Sequence, residues 1–344
     1  MLPLETPSLF GEYLYGLPKQ IMEEQQDKGW FSQEIDVAKD KHDYKTRLSI
    51  DQFELINTTL LSFVEIEQDV GKIWTIIASW FPHETINGAC KQIAAMEESV
   101  HAFFYQKMND ELNILPEDVE HSKKTITTLA NKLQMLSTVM KQAETAKTVE
   151  ERSLVLFTLS MVEQVLLFSN FAMLKSFKAN GNSYILNTLT GVDFVVQDEQ
   201  MHGILASYLF NTYLDEYKID TGINLRLDIE YNKKLEHIVN EIIEHEDAIS
   251  NHVFRNTQTI NDITAKELQL FIRDRADFVR SELKFKPIYN IKPKENTIAK
   301  WFYQGTKSLK LHDFFVAGTA QYRRNWSFDK LSVLPHIGAT YADQ

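Results

Sequence analysis

The sequence predicts an all-α protein, built as one large bundle of long helices, and three observations lead to this prediction. Only 12 glycines and 8 prolines occur in 344 residues, so long stretches lack helix breakers. Within those stretches apolar residues recur at the three- and four-residue spacing of an amphipathic helix. Two copies of a Glu-x-x-His pattern, each preceded by a lone glutamate, fall on these helices. Such a set meets in space when helices pack antiparallel, which favours a bundle.

The individual helices are predicted from their apolar periodicity and from the residues that end them. The first 45 residues carry Pro3, Pro7 and Pro18 and are predicted to be irregular. Helices are then predicted over residues 49–80, 85–108, 116–147, 150–178, 184–217, 227–255 and 264–284, with a short apolar piece at 298–303. Periodicity fades from Gly305 onward. We therefore expect an irregular segment at 1–45, a helical domain at 46–303 and a flexible C-terminal tail at 304–344.

Composition and charge exclude several classes of protein. The net charge of −12 offers no basic surface for nucleic acid. No apolar run reaches about 18 residues, so no membrane span is expected, and the N-terminus lacks the pattern of a signal peptide. The single cysteine, Cys90, excludes an intrachain disulfide and a dithiol redox pair, and it fits the reducing cytoplasm.

Six potential metal ligands fall into two matching halves. They are Glu67, Glu98 and His101 in the first half, and Glu163, Glu199 and His202 in the second. The gaps from lone glutamate to pair are 98−67 = 31 and 199−163 = 36 residues, about one long helix and a turn. Residues three apart lie on one face of a helix, so each pair would point the same way. Four antiparallel helices would then close a cage of four carboxylates and two imidazoles, the dinuclear site of ferritin-like bundles.

The chemistry of these groups favours the binding of two metal ions over a chance occurrence of the pattern. A lone Glu-x-x-His is more often a solvated acid beside a hydrogen-bonded histidine. Here, however, Glu163 interrupts the apolar run 159–168, where a bare acid is costly unless it is paired or metal-bound. Carboxylates and imidazoles suit Fe and Mn, and four carboxylates neutralise two divalent ions. Glu65 and Glu97 stand one or two residues out of phase with the proposed ligands, and the choice between Glu65 and Glu67 stays open.

Several segments resemble the radical-generating small subunit of class I ribonucleotide reductase, over most of residues 25–320. Residues 98–105 resemble the family's Glu-x-x-His-x-x-x-Tyr, in which the tyrosine, here Tyr105, holds a stable radical. Residues 162–169 are similar to its third-ligand helix, and 197–203 to its Arg-Asp-Glu-x-x-His motif. Residues 29–36 resemble the segment with the electron-relay tryptophan, here Trp30. The resemblance implies that Asp198 connects the metal-bound His101 to Trp30.

The resemblance also implies partners and a mode of action. The chain would be the small subunit of a ribonucleoside-diphosphate reductase: a homodimer whose tail docks on a cysteine-bearing large subunit, with an activating flavoprotein among the partners the family can use. A tail tyrosine would relay the radical. Tyr322 and Tyr341 are the candidates, and Tyr322 is preferred by its distance from the end. The absence of a dithiol fits this division of labour, since nucleotide reduction needs thiols on another chain.

Some features depart from the family's pattern. The first ligand is Glu67 where most tyrosyl-radical members have Asp, so Fe/Fe, Mn/Mn and Mn/Fe stay open, as does storage of the radical on the metals. Gln197 stands in place of the usual Arg, and the 36-residue gap implies an insertion near Asn180. Two other functions are weighed: a ferritin-like two-metal oxidase that binds a fatty ligand, and a non-enzymatic metal-storage bundle. Trp30 and the long tail favour the reductase, because neither alternative needs them.

Overall fold

Long helices make up the computed structural model, which describes residues 2–8 and 15–303. They are α1 (Gly16–Lys28), α2 (Ile50–Trp80), α3 (Glu84–Met96), α4 (Ala102–Leu112), α5 (Pro116–Thr125), α6 (Thr127–Thr145), α7 (Val149–Met161), α8 (Leu167–Lys175), α9 (Leu186–Thr221), α10 (Ile229–Val253) and α11 (Ala265–Glu282). A further short helix occupies residues 297–303. The predicted all-α class is confirmed.

Four long helical rods form the centre of the bundle: α2, α3 with α4, α7 with α8, and α9. Helix α2 packs on α3, α4 and α8, and α9 packs on α7 and α8. Ser49 starts α2 with a capping box, in which its hydroxyl accepts from Gln52 N and the Gln52 side chain accepts from Ser49 N. Helices α1, α6, α10 and α11 pack around this centre and exclude water from it.

Two of the four rods contain a π-helical turn, which has one residue more than an α turn. Glu97–His101 joins α3 to α4, and Val162–Leu166 joins α7 to α8. Each π turn faces a glycine on a neighbouring helix. A Cβ on Gly71 would lie 2.6 Å from Glu98 Cγ, and a Cβ on Gly203 would lie 2.2 Å from Gln164 Cγ. Both distances are shorter than real contacts, so only glycine lets the helices approach so closely.

A π turn shifts backbone hydrogen bonds, and Arg275 of α11 binds a carbonyl in the second turn. Its Nε donates to Gln164 O at 3.0 Å, and its guanidinium carbon lies 4.2 Å from the ring centroid of Phe168. Its Nη1 donates to the Tyr303 hydroxyl at 3.1 Å. The buried Arg275 thus connects the turn that carries Glu163 to the last described residue of the chain.

Two details of the predicted helix pattern are wrong. Residues 1–45 are not irregular throughout, because α1 occupies Gly16–Lys28. Gly16 and Pro18 lie in the first turn of α1, where proline is tolerated since its missing N–H would have no intrahelical partner. The helix predicted over 116–147 is two helices, α5 and α6, separated at Ile126.

One helical stretch among the described residues, Val149–Lys178, is long and apolar enough to cross a membrane. The sequence prediction had found no such run, because Glu163 and other polar residues interrupt it. In the structure 94% of its most apolar window is buried inside the protein. It is a core helix of the bundle, which accounts for its apolar composition.

A buried ion pair joins α6 to α10, and we predict that breaking it destabilises the fold. Lys132 Nζ lies 2.8 Å from Glu246 Oε1, and both side chains are at most 1% exposed. Glu246→Ala would leave the ammonium buried without its carboxylate, at a cost of about 3–5 kcal/mol. Chemical denaturation should show this loss, and the double variant Lys132→Met/Glu246→Leu should recover most of it.

The exposed pair Lys234–Glu150 supplies a matched control for this measurement. Glu150→Ala should cost less than about 1 kcal/mol, because water screens the pair. Equal losses in Glu246→Ala and Glu150→Ala would contradict the argument.

Candidate metal centre

Five of the six predicted ligands lie together in the centre of the bundle. They are Glu67 on α2, His101 at the end of the first π turn, Glu163 in the second, and Glu199 and His202 on α9, and all five are fully buried. Of the two open candidates Glu65 and Glu67, the structure places only Glu67 in the cluster. Glu65 is partly exposed and pairs with Lys123, whereas Glu67 faces the cluster.

The prediction of Glu98 as the remaining carboxylate is wrong, because Glu97 lies in the cluster and Glu98 is exposed. In an α-helix the third and the fourth residue before His101 both share its face, so spacing alone does not choose between them. Glu97–His101 is a π turn. The longer turn brings the residue four positions earlier into line with the histidine and moves Glu98 outward over Gly71.

The six side chains form two overlapping groups, each with ligand atoms within 4.8 Å of one another. Glu67 and His101 belong to one group, Glu163 and His202 to the other. Glu97 and Glu199 belong to both groups, as bridging carboxylates would.

The two imidazoles face the bridging carboxylates with the same ring nitrogen. His101 Nδ1 lies 3.0 Å from Glu199 Oε1. His202 Nδ1 lies 2.6 Å from Glu97 Oε1 and 2.9 Å from Glu199 Oε2. Both Nδ1 atoms therefore point to the interior of the cluster and both Nε2 atoms point away from it.

The crowding of acids shifts the pKa values in the cluster. Burial raises the pKa of Glu67 well above its usual range, and the carboxylates of Glu97 and Glu199 raise it further. The pKa of Glu163 rises for the same reasons. Burial lowers the pKa of His202, but Glu199 and Glu97 outweigh it and raise the value to about 9. Metal ions entering this site must displace protons, so their apparent affinity rises with pH.

Four carboxylates and two imidazoles in a buried interior are a set of donors that fits two divalent ions. Glu67 Oε1 and Glu163 Oε2 are buried and accept no hydrogen bond from the described residues. Buried carboxylate oxygens without a donor are costly, and a metal ion would satisfy them. The residues present therefore fit a dinuclear metal centre with oxygen-rich coordination.

Outside the cluster, a short chain of contacts runs from His101 to Trp30. His101 Nε2 lies 3.2 Å from Asp198 Oδ2, and Trp30 Nε1 donates to the same oxygen at 2.8 Å. The two rings lie nearly parallel, with centroids 6.0 Å apart. The resemblance predicted that Asp198 connects these two residues, and their positions agree with that arrangement.

Two further residues contact the cluster, and sequence reasoning missed both. Trp74 Nε1 donates to Glu163 Oε1 at 2.7 Å, and Gln25 Nε2 lies 2.8 Å from His202 Nε2. Trp74 occurs in the apolar periodicity of α2, where it reads as an ordinary core residue. Gln25 lies in a segment that was expected to be irregular, so no periodicity pointed to it.

Tyr105 is fully buried one turn beyond His101 on α4. Its ring stacks on Phe63 with centroids 4.2 Å apart, and Phe63 in turn stacks on Phe171 at 5.4 Å. Its hydroxyl has no hydrogen-bond partner among the described residues. Burial raises the pKa of Tyr105 well above its usual range, and the charge of Glu67 adds to this. Leu167 and Val195 are also buried in the core.

The fold and the site together define the class of ferritin-like helical bundles with a dinuclear carboxylate–histidine centre. The sequence model of the family "Ribonucleotide reductase, small chain" matches residues 15–297. The chain therefore belongs to the ribonucleotide reductase small-chain family. The radical-generating role follows from that membership, as does association with a large subunit.

Solved structures agree on the fold. A protein described as a class I ribonucleotide reductase from Bacillus halodurans matches with a TM-score of 0.71 and 15% identity, over 84% of this chain and 99% of that one. The ribonucleotide reductase R2 subunit from Clostridium botulinum gives 0.70 and 15%, over 85% and 88%.

The dimanganese(II)-NrdF of Streptococcus sanguinis gives a TM-score of 0.67 and 16% identity, over 85% of this chain and 96% of that one. At such low identity these structures support the fold alone. A comparison with curated protein sequences finds no significant match.

Proposed function

We propose that this small subunit uses an Fe or Mn pair to oxidise Tyr105. The radical then passes through Asp198 and Trp30 to a cysteine-bearing large subunit. There a ribonucleoside diphosphate is reduced. The observation that carries the proposal is the contact chain His101–Asp198–Trp30, which leads from the cluster to a buried indole. An oxidase or a storage bundle has no need of such a chain.

The proposed ligands are Glu67, Glu97, Glu163, Glu199, His101 and His202. When bound, the metal pair would supply, with oxygen, the oxidising equivalent. The donor set suits Fe and Mn and does not choose between Fe/Fe, Mn/Mn and Mn/Fe. The Streptococcus sanguinis relative is described as a dimanganese(II) protein, which supports manganese as one option. An activating flavoprotein is a further proposed partner.

Tyr105 suits the storage of a radical because of where it lies. Phe63 covers one face of its ring, and the side chain has no exposed surface. A radical at this position would be shielded from water and from reductants in solution. Its raised pKa keeps the phenol protonated, so oxidation must release a proton together with the electron. This is the chemistry expected of a stable tyrosyl radical.

The proposed assembly includes a homodimer and a tail that docks on the large subunit. Tyr322, the preferred relay tyrosine, and its alternative Tyr341 lie outside the described residues, as does the whole predicted tail at 304–344. A cytoplasmic location fits the single buried Cys90.

Reconstituted turnover tests the proposed function. The chain is loaded with Fe²⁺ or Mn²⁺, exposed to oxygen, with a flavoprotein reductant for manganese, and mixed with the large subunit from the same organism and a ribonucleoside diphosphate. Deoxyribonucleotide should form only when both subunits are present. A chain that holds two metal ions but yields no product with any such loading would overturn the proposal.

Trp30→Phe tests the relay within the same assay. The variant keeps an aromatic ring but loses the N–H donor to Asp198, so metal content and radical should persist while turnover falls to background. Trp301→Phe is the matched control, since Trp301 is half-buried near the end of the described chain and packs beside Phe302. Full turnover by Trp30→Phe would remove Trp30 from the route.

Two changes in the tail test separately its docking on the large subunit and the relay of the radical. Deleting the residues after Asp329 should abolish binding to the large subunit, measured by co-sedimentation, and leave the metal centre intact. Tyr322→Phe should bind normally yet give no product. Activity in Tyr322→Phe combined with inactivity in Tyr341→Phe would transfer the relay role to Tyr341, and full turnover by the truncated chain would contradict tail docking.

A further inference from the structure

The side chain of Gln164 separates the second π turn from α9. Gln164 directly follows Glu163 in that turn, and Gly203 directly follows His202 on α9. A Cβ on Gly203 would lie 2.2 Å from Gln164 Cγ, so the side chain rests on the bare backbone of α9. Glu163 and His202 belong to the same group of ligand atoms. Gln164 therefore spaces the two backbones that carry the ligands of one metal position.

Arg275 of α11 holds Gln164 from the other side and binds it twice. Its Nε donates to Gln164 O at 3.0 Å, and its Nη2 donates to Gln164 Oε1 at 3.4 Å. Both side chains are at most 2% exposed. Gln164 Nε2 is buried without a hydrogen-bond partner among the described residues. Burying a donor without an acceptor costs stability, so packing energy alone does not account for an amide at this position.

The guanidinium suits this contact because its donors form a rigid planar fork. While Nε and Nη2 bind Gln164, Nη1 donates to the Tyr303 hydroxyl at 3.1 Å. The aromatic ring of Phe168 lies against the same guanidinium, with its centroid 4.2 Å from the guanidinium carbon. Contacts on several sides restrict Arg275 to one position, and Arg275 in turn restricts Gln164.

We propose that Arg275 and Gln164 are positioning residues of the metal position formed by Glu163 and His202. Arg275 holds the π turn toward α9, and the Gln164 side chain sets how closely the turn approaches. This inference rests on the proposed dinuclear function. It concerns this metal position alone, because the other group of ligand atoms contains neither Glu163 nor His202.

Arg275→Lys tests the holding of the turn. The variant keeps the positive charge but replaces three fixed donors by one ammonium on a flexible stem. Loss of a residue that orients a metal ligand lowers metal affinity by roughly 10–100-fold, so one Mn²⁺ should weaken by about this factor and the other should not. Arg280→Lys is the matched control. Arg280 is also buried on α11, but it donates to Lys286 O, and its replacement should leave both ions in place.

Gly203→Ala tests the spacing. The new methyl group would need the place of Gln164 Cγ and would push the turn away from α9, which should weaken the same Mn²⁺. Gln164→Ala should also weaken it, because the spacer is lost. The double variant Gln164→Ala/Gly203→Ala should nevertheless bind this ion more tightly than Gly203→Ala, because the methyl group then fills the vacated space. Such a departure from additivity identifies two groups that compete for one position.

Mn²⁺ titration of the full chain measures all these variants, with free Mn²⁺ determined by EPR and bound Mn²⁺ read as a coupled pair or an isolated ion. At two Mn²⁺ per chain, Arg275→Lys and Gly203→Ala should show mainly isolated ions. The wild type and Arg280→Lys should show the coupled pair, and the double variant should recover part of it. Thermal unfolding of the metal-free chains, recorded beside each titration, separates loss of metal from loss of fold.

The other outcomes decide against particular claims. Wild-type affinity for both ions in Arg275→Lys overturns its positioning role. Equal weakening of both ions, with the same fall in unfolding temperature in Arg280→Lys, assigns Arg275 to the stability of α11 and likewise overturns the inference. Additive losses in the Gln164 and Gly203 variants overturn the spacing. If Gly203→Ala does not fold, Arg275→Lys decides alone. Fewer than two Mn²⁺ in the wild-type chain would instead contradict the dinuclear function on which the inference rests.

Discussion

Replacing Glu97 with alanine is expected to remove at least one of the two metal ions from each chain. Glu97 belongs to both groups of ligand atoms, so its loss takes a carboxylate from both metal positions at once. The three carboxylates that are left would no longer neutralise two divalent ions in the buried site. Metal analysis after loading with Fe²⁺ or Mn²⁺ and removal of free metal should fall from about two ions to one or fewer per chain.

The neighbouring residue supplies the control for this prediction. Glu98→Ala removes an identical side chain from the same π turn, but Glu98 is exposed and contacts α2 near Gly71. It should keep both ions. The opposite result, with Glu98→Ala losing metal and Glu97→Ala keeping it, would show that the turn adopts a different register when metal is bound and that the three-residue spacing was the correct pattern.

Tyr105→Phe is expected to abolish the organic radical and to reduce turnover to background. The change removes one hydroxyl that has no hydrogen-bond partner among the described residues, so the fold and the metal content should be unaffected. Only the group that we propose to be oxidised disappears. EPR after metal loading and oxygen exposure measures the radical, and the reconstituted assay measures turnover.

Tyr44→Phe is a suitable control, since Tyr44 is also buried but bonds Thr188 at 2.9 Å and lies outside both groups of ligand atoms. Its radical signal should equal that of the wild type. If Tyr105→Phe retains full activity, the oxidising equivalent is stored on the metal pair, as the departure at Glu67 would allow.

Much of the fold follows from the sequence because long helices carry their own pattern. The apolar periodicity of residues 49–80 predicted α2 to within one residue at its start, where Ser49 forms the cap. Helix α1 escaped prediction for a physical reason. Its buried face includes Glu24, Gln25 and Lys28, of which Glu24 and Lys28 pair with each other at 2.6 Å. A helix that buries charged residues in pairs has no apolar stripe to detect.

In the candidate site, too, the sequence reveals some residues and not others. Glu67, Glu163 and Glu199 could be found because acids on apolar helices are conspicuous, and the two histidines because of their spacing. Glu97 could not be separated from Glu98, since the choice depends on a π turn that one-dimensional spacing does not reveal. Gln25 and Trp74 act through contacts across 177 and 89 residues of sequence, and such contacts leave no local pattern.

Because Arg275 holds Tyr303 in place, the length of the intervening chain limits how far Tyr322 can lie from Tyr303. Lys175 Nζ also donates to Phe302 O at 3.0 Å, so the end of the described chain is held against the bundle. Tyr322 follows 322−303 = 19 residues later. Even fully stretched, 19 residues span no more than roughly 65 Å. In the proposed relay, the group that exchanges an electron with Tyr322 therefore lies within about this distance of Tyr303, which restricts how the two subunits can be arranged.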